Sequence, residues 1–174
     1  IFGEEYYQWS VNRYALADMG AHVSAIGDWL GGNVNLLNPF RRLYGLVTMR
    51  QWPIGGSVCE PTEWIAKHKI GVARALEMLT IEPAYTVGME NYIGSILPGK
   101  FADLIIISGN PLTINPDQLI DLQVLMTMIN GKFEYCAAGA EAFCPSTVPS
   151  NTNAIPIGFL DFPVSDETVS GSIE

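Results

Sequence analysis

The sequence predicts an α/β region followed by a small β unit, and three observations carry that prediction. Residues 5–19 place apolar side chains at helical spacing and are followed by Gly20, a residue type that commonly ends helices. The run AHVSAIG comes next; it is short, apolar and contains two β-branched residues, as expected of a buried strand. Much later, Asn130-Gly131 separates two β-prone runs, which predicts a tight hairpin with a type I′ turn.

Between the predicted strand and the hairpin the chain has mainly helical patterns. A long connection runs from Gly27 to about Cys59 and is rich in Gly, Asn and Pro, with local helix predicted in PFRRLYGLVTMR. The acidic, Pro-containing stretch that follows it is typical of a helix start. The segment IGVARALEML has the period of an amphipathic helix, and Thr80 is the predicted N-cap of a short helix after it. We expect IGVARALEML to bury one side made of Val72, Ala73, Leu76 and Leu79.

From about residue 91 the pattern becomes that of strands and turns. FADLIIIS is predicted to form a strand, and GNPLTINPDQLID a loop with one helical turn. After residue 136, Pro, Ser, Thr and Asn dominate, which predicts an extended tail. We therefore expect three regions, with bounds 1–90 (α/β), 91–136 (small β unit) and 137–174 (tail).

Composition and charge exclude several classes of function. Of the 174 residues, 48% are hydrophobic and 16% charged, which indicates a folded chain with a core. A net charge of −9 argues against a nucleic-acid partner, because phosphate binding needs clustered Lys and Arg. No window approaches the ~18 continuous apolar residues of a membrane span. The start, IFGEEYYQW, is neither a Met nor a signal peptide, so we expect an internal piece of a longer protein or a processed product.

The three cysteines leave the compartment open. Cys136 and Cys144 flank a short segment and are spaced to close a loop disulfide, which would imply an exported protein. Free buried thiols in a cytoplasmic protein are the equal alternative. Nothing around Cys59 indicates an activated thiolate.

Asp28, in AIGDWLGG, is the strongest candidate for a catalytic residue. Loops that leave the C-terminal ends of parallel strands carry catalytic groups in α/β folds. A carboxylate there can bind a divalent metal and accept a proton from the attacking water. The alternative, favoured by local sequence alone, is an Asx-turn after a strand.

Other candidates give weaker signals. Neither His22 nor His68 stands in a paired histidine motif, so the sequence does not complete a metal site, which needs about three protein ligands. Arg50 is a candidate for binding a substrate anion, with solvated surface arginine as the alternative. Trp29 is a candidate pocket residue, and simple packing explains it equally well.

Four stretches resemble a known family when they are taken in order. They are GAHVSAIGDW, VTMRQ, GVARALEMLTIEPAYTVGMENYIGSILPGKFADLIIISGNPL and TMINGKFEYC, which together run from about residue 10 to residue 136. They resemble the C-terminal part of the amidohydrolase superfamily, in the branch called amidohydrolase family 3, whose members include enzymes like N-substituted formamide deformylase. The most specific stretch is GSILPGKFADLIII.

The resemblance implies a fold, an activity and a metal. The fold is a metal-dependent (β/α)8 barrel with a small β-sandwich built from both chain ends, of which this chain holds the C-terminal portion. The activity is hydrolysis of amide-like C–N bonds by water that a divalent metal, expected to be zinc, activates. Asp28 matches the family's metal ligand and proton acceptor after the eighth strand, Arg50 matches a recurrent arginine, and Lys100 and Asp103 match a motif that looks structural.

The same resemblance sets limits on the isolated chain. The family's His-x-His motif, its bridging ligand and its two later histidines are absent and would lie upstream of Ile1. We therefore expect the isolated chain to be inactive, to bind no zinc tightly, and to associate with the upstream part or with itself. Because Gly27 and Leu30 depart from the family pattern, the alternative is a non-catalytic β-sandwich module with a degenerate barrel remnant.

Overall fold

The computed structural model describes residues 5–6, 16–17, 19–25, 38–50 and 58–144. Residues 5–6 and 16–17 are helical; the rest of the helix expected over 5–19 lies outside the described residues, apart from residue 19, which is in a turn. The ordered elements are then helices α1 (Pro39–Thr48), α2 (Glu63–Ala66), α3 (Val72–Leu79) and α4 (Ile81–Thr86), strand β1 (Leu104–Ile107), the 3₁₀ helix η1 (Pro116–Asp121), strands β2 (Val124–Ile129) and β3 (Lys132–Cys136), and the 3₁₀ helix η2 (Glu141–Phe143).

Helix α1 confirms the helix predicted in PFRRLYGLVTMR. It begins after Asn38, whose side-chain oxygen accepts a hydrogen bond from the Phe40 backbone N–H at 2.9 Å, and Pro39 occupies its first turn. It ends at Met49, which takes a left-handed conformation with φ 57° and donates its N–H to the Gly45 carbonyl. Both ends of the helix therefore have local hydrogen-bond partners.

The main hydrophobic core lies where α1 packs against η1 and α3. Its buried side chains recur along α1 at helical spacing, so one face of that helix is apolar. The members of this core are Phe40, Leu43, Tyr44, Val47, Ala75, Leu119 and Leu122.

The buried face of α3 differs from the predicted one. Its buried residues are Ala75 and Met78, whereas Ala73 is exposed. Helix α3 contacts α1 on one side and α4 on another, and the Ala25 N–H reaches the Met78 carbonyl. The centre of its buried stripe lies between these neighbours, and the predicted Val72, Leu76 and Leu79 are only partly buried at the edge of the core.

The strand predicted from AHVSAIG is not formed over its described part. Residues 21–25 have no strand pairing. A strand needs a neighbouring strand to complete its hydrogen bonds. Residues 22, 24 and 25 contact α3 and α4 instead, and the Ala21 N–H donates to the Leu16 carbonyl. The prediction was therefore wrong for these residues in this chain.

The three strands form one antiparallel sheet in the order β1-β2-β3. The β2–β3 hairpin turns at Asn130 and Gly131, with φ of 49° and 75°, which confirms the turn and its type I′ conformation. Strand β1 and the helical turn η1 are likewise confirmed.

Lys100 and Asp103 connect the turns around the sheet. The Lys100 ammonium donates to the carbonyls of Glu90 and Ile93 and to the Ser95 hydroxyl, the last at 2.7 Å. The Asp103 carboxylate accepts the Asn130 backbone N–H at 2.6 Å, which ties the start of β1 to the hairpin. These contacts agree with the structural role expected for both residues.

Cys136 and Cys144 form a disulfide, which agrees with the predicted pairing of these two cysteines. The bond closes the loop between the end of β3 and the residue after η2. Cys59 is free and exposed. Among the helices that the structure describes, none has the length and apolar character needed to cross a membrane.

Candidate functional site

Asp28 and Trp29 lie outside the described residues, in the interval 26–37. The structure describes the chain that leads to them, up to Ala25. It also describes Arg50, the third predicted site residue. The described part of the candidate site therefore consists of the approach to Asp28 and the surroundings of Arg50.

The approach to Asp28 is held against two helices. The Ala25 N–H donates to the Met78 carbonyl of α3 at 2.9 Å. The Ser24 and Thr86 hydroxyls are 3.3 Å apart, which joins the same segment to the end of α4. One backbone and one side-chain contact thus fix the last described residues before the candidate catalytic position.

A buried carboxylate makes a third and stronger contact with this segment. Glu82, in the first turn of α4, is only 6% exposed, and its Oε2 lies 2.8 Å from His22 Nδ1. Its other oxygen, Oε1, accepts a hydrogen bond from the Arg74 guanidinium of α3. The His22 ring also stacks on Tyr85, with centroids 3.8 Å apart and planes 13° from parallel. Both carboxylate oxygens of Glu82 are therefore satisfied, as a buried charge requires.

The pKa of Glu82 reflects these partners. Burial alone raises the pKa, but hydrogen bonds and charge from His22 and Arg74 outweigh burial and hold the pKa below the ordinary 4.5. The ionised form therefore stabilises the fold at pH values above 4.5, and this contribution is lost as the pH falls through the lowered pKa.

The lowered pKa of Glu82 predicts how the stability of the protein depends on pH. We expect Glu82→Gln to lower the free energy of unfolding by about 2 kcal/mol at pH 7, because a buried charged hydrogen-bond partner is removed. The difference in stability between the two proteins should shrink as the pH falls below 4.5 and through the lowered pKa of Glu82. Urea unfolding over a series of pH values from 7 downward measures this difference, and a difference that grows as the pH falls would contradict the stabilising role of the ionised carboxylate.

Arg50 lies between two carboxylates. Its Nε donates to Glu60 Oε2 at 2.9 Å, and its Nη1 donates to Asp117 of η1. Hydrogen bonds with Glu60 and Tyr44, together with the charge of Asp117, raise the pKa of the guanidinium. In this arrangement the cation joins the end of α1 to η1, and its charge is shared by two carboxylates. Substrate binding by Arg50 stays a prediction.

The described residues do not form a metal site by themselves. Within the ranges that the structure describes, no three His, Cys, Asp or Glu side chains are grouped so that they would hold a metal ion. His22 Nδ1 is committed to Glu82. A metal bound near Asp28 would need ligands from beyond the described part of the chain.

Sequence reasoning missed the cluster around Glu82. His22 and Glu82 are 60 residues apart, and neither stands in a motif that would pair them. The one available signal was an acidic residue in the first turn of a short helix, and that position is normally explained by the helix dipole.

The chain matches the amidohydrolase family over residues 2–135. This match covers most of the chain, so the chain belongs to the amidohydrolase family, as the sequence motifs predicted. Family membership agrees with a barrel-related fold. The described residues form a mixture of helices and strands.

Three similar proteins show how the chain relates to longer ones. It is 29% identical to N-substituted formamide deformylase from Arthrobacter pascens over 126 residues, which are 72% of this chain and 21% of that protein. It is 37% identical to 5-methylthioadenosine/S-adenosylhomocysteine deaminase from Symbiobacterium thermophilum, over 35% of this chain and 16% of that protein. A crystal structure of an amidohydrolase from Thermotoga maritima aligns with 32% identity and a TM-score of 0.35, over 42% of this chain and 18% of that one. The chain thus spans about a fifth of the length of these proteins or less.

Proposed function

We propose that this chain supplies the C-terminal part of a metal-dependent hydrolase that acts on C–N bonds other than peptide bonds. The observation that carries the proposal is the family match over residues 2–135. The names of the two curated relatives, a deformylase and a deaminase, both denote the breaking of a C–N bond. An amide-like small molecule is the corresponding substrate class.

The proposed architecture follows the three predicted regions. Residues 1–90 would provide the last units of a (β/α)8 barrel, residues 91–136 part of a β-sandwich, and residues 137–174 a tail. The helices before residue 90 and the separate sheet over 104–136 support this division. A whole barrel needs about 250 residues, so the remaining units would come from an upstream segment. We call this chain joined to that segment the extended protein.

In the proposed site, Asp28 is both a metal ligand and the proton acceptor. A carboxylate oxygen suits a divalent metal such as zinc, and the same group accepts a proton from the attacking water. The metal, when bound, supplies the polarisation that makes water a nucleophile at neutral pH. Trp29 and Arg50 would contact the substrate. The contacts of residues 22–25 with α3 and α4 support a fixed approach to Asp28.

An exposed apolar groove on the sheet supports the proposal that another segment of polypeptide packs there. An open groove of about 490 Å³ runs beside β1 and β2 and is mostly apolar. Ile96, Ile105 and Ile129 line it and remain 84%, 49% and 48% exposed. Exposed apolar surface of this kind is costly in water. We propose that the upstream segment, or a second copy when that segment is missing, covers this face.

The isolated chain and the extended protein give opposite predictions. We expect the isolated chain to hydrolyse no amide and to retain no zinc after dialysis, because one carboxylate does not make a site. The extended protein should hydrolyse members of a panel of N-substituted formamides and related amides, and should lose that activity to a chelator. Light scattering should show the isolated chain self-associating. Zinc-dependent hydrolysis by the isolated chain, or a monodisperse monomer at high concentration, would contradict this account.

A further inference from the structure

The Glu82 carboxylate binds side chains from two other parts of the chain. This side chain joins three parts of the molecule at one point: the segment leading to Asp28 through His22, helix α3 through Arg74, and helix α4, which carries it. Its side chain is 7% exposed, while the His22 side chain is 51% exposed. The carboxylate is therefore the fixed centre, and the histidine is the group that it holds in place.

We propose that Glu82 and His22 are positioning residues that set where the chain enters the catalytic loop. The inference rests on the proposed function of Asp28. Ala25 is three residues before Asp28, and three residues span roughly 11 Å at most. Whatever fixes residues 22–25 on the helices therefore limits the space in which the Asp28 carboxylate can reach a metal.

The chemistry of the cluster suits positioning better than catalysis. Tyr85 stacks on the His22 ring while Glu82 bonds its Nδ1, so both the plane and the rotation of the imidazole are set. Arg74 neutralises Glu82 and is itself shared with Glu77 at 2.8 Å. Because the ring is held in this way, the backbone of residue 22 is also restricted in position. The hydrogen bond from the Ala25 N–H to the Met78 carbonyl then holds the backbone against α3 three residues further along the chain.

The chain offers a matched pair of variants for the test. Glu82→Gln removes the charge that holds both His22 and Arg74. Glu77→Gln removes the other carboxylate bound to Arg74 and leaves His22 untouched. The Glu77 side chain is 52% exposed. His22→Phe keeps a ring for stacking on Tyr85 but loses the hydrogen bond, and it serves where Glu82→Gln folds poorly.

Two measurements are needed, one on each protein. Hydrogen–deuterium exchange on the isolated chain should show the amides of residues 21–25 exchanging about tenfold faster in Glu82→Gln and His22→Phe than in the parent or Glu77→Gln. Far-UV circular dichroism spectra should be the same for all four proteins, which shows that the fold is kept. In the extended protein, competition with a zinc chelator should show zinc bound about tenfold more weakly by Glu82→Gln, and unchanged by Glu77→Gln.

Each result decides one part of the inference. Unchanged exchange at residues 21–25 would overturn the anchoring role of Glu82. Faster exchange with unchanged zinc affinity would overturn the positioning role and leave a purely structural contact. Asp28→Asn is measured alongside them. If that variant binds zinc as the parent does, the proposed function fails, while the exchange result still decides the anchor on its own.

Discussion

Replacing Gly94 with alanine is expected to destabilise the protein by about 4 kcal/mol, from overpacking against backbone together with strain at positive φ. A Cβ at this position would lie 2.9 Å from the Ala84 Cβ, 2.9 Å from the Ile81 Cα and 3.0 Å from the Thr80 carbonyl oxygen. Two of these atoms are backbone at the start of α4, so the turn would have to move away from the helix. Gly94 also has φ of +85°, where an L-residue is strained.

Gly99→Ala is the matched control for this prediction. Gly99 has a similar φ of +92°, but nothing lies within 4 Å of the position that an alanine methyl group would take, so only the backbone strain applies. We expect that variant to cost about 1 kcal/mol. Urea unfolding followed by far-UV circular dichroism compares the two. Equal losses for Gly94→Ala and Gly99→Ala would show that the turn does not pack against α4 as described.

Replacing Asp28 with asparagine is expected to lower kcat of the extended protein by about 10³-fold, within the range for loss of a positioned acid or base. Asparagine has nearly the same size and keeps one oxygen, so the fold should be retained. Its amide cannot accept the proton from water, and it is a poorer metal ligand than a carboxylate. Steady-state kinetics on the best formamide or amide of the panel measures the effect.

Asp121→Asn is the control for the activity measurement, because Asp121 is an exposed acid at the end of η1. We expect it to leave kcat within about twofold of the parent, as is usual for a surface substitution away from the site. An Asp28→Asn variant that is as active as the parent would show that another group accepts the proton. A complete lack of activity in the parent itself would favour the non-catalytic module.

The elements that the sequence predicted correctly are those whose signals are local. Asn130-Gly131 specifies its own turn, because both residues accept positive φ and the flanking runs prefer β structure. Asn38 and Pro39 mark the start of α1 in the same way, through one side-chain hydrogen bond and one fixed φ. Each of these signals acts within a few residues, so tertiary context did not need to be known.

The predictions that were wrong depended on neighbours that a sequence does not show. Residues 21–25 have an apolar strand-like pattern, but a strand forms only where another strand offers hydrogen bonds. Helix α3 buries Ala75 and Met78 because α1 and α4 flank it, and the helical period alone does not fix which stripe is covered.

The candidate site residues Asp28, Trp29 and Arg50 stay predictions from local sequence and family motifs. Of these, Arg50 lies between Glu60 and Asp117. The pair of His22 and Glu82 has no local signal, because its members meet only after α3 and α4 have packed. Long-range polar pairs of this kind have to be read from the folded chain.

The zinc content of the extended protein and of the isolated chain tests the central claim most directly. Both are purified, dialysed against metal-free buffer and analysed for metal per polypeptide. We expect zinc to remain bound in the extended protein and to be absent from the isolated chain. An extended protein that hydrolyses amides without any metal, or an isolated chain that retains zinc after dialysis, would contradict the account.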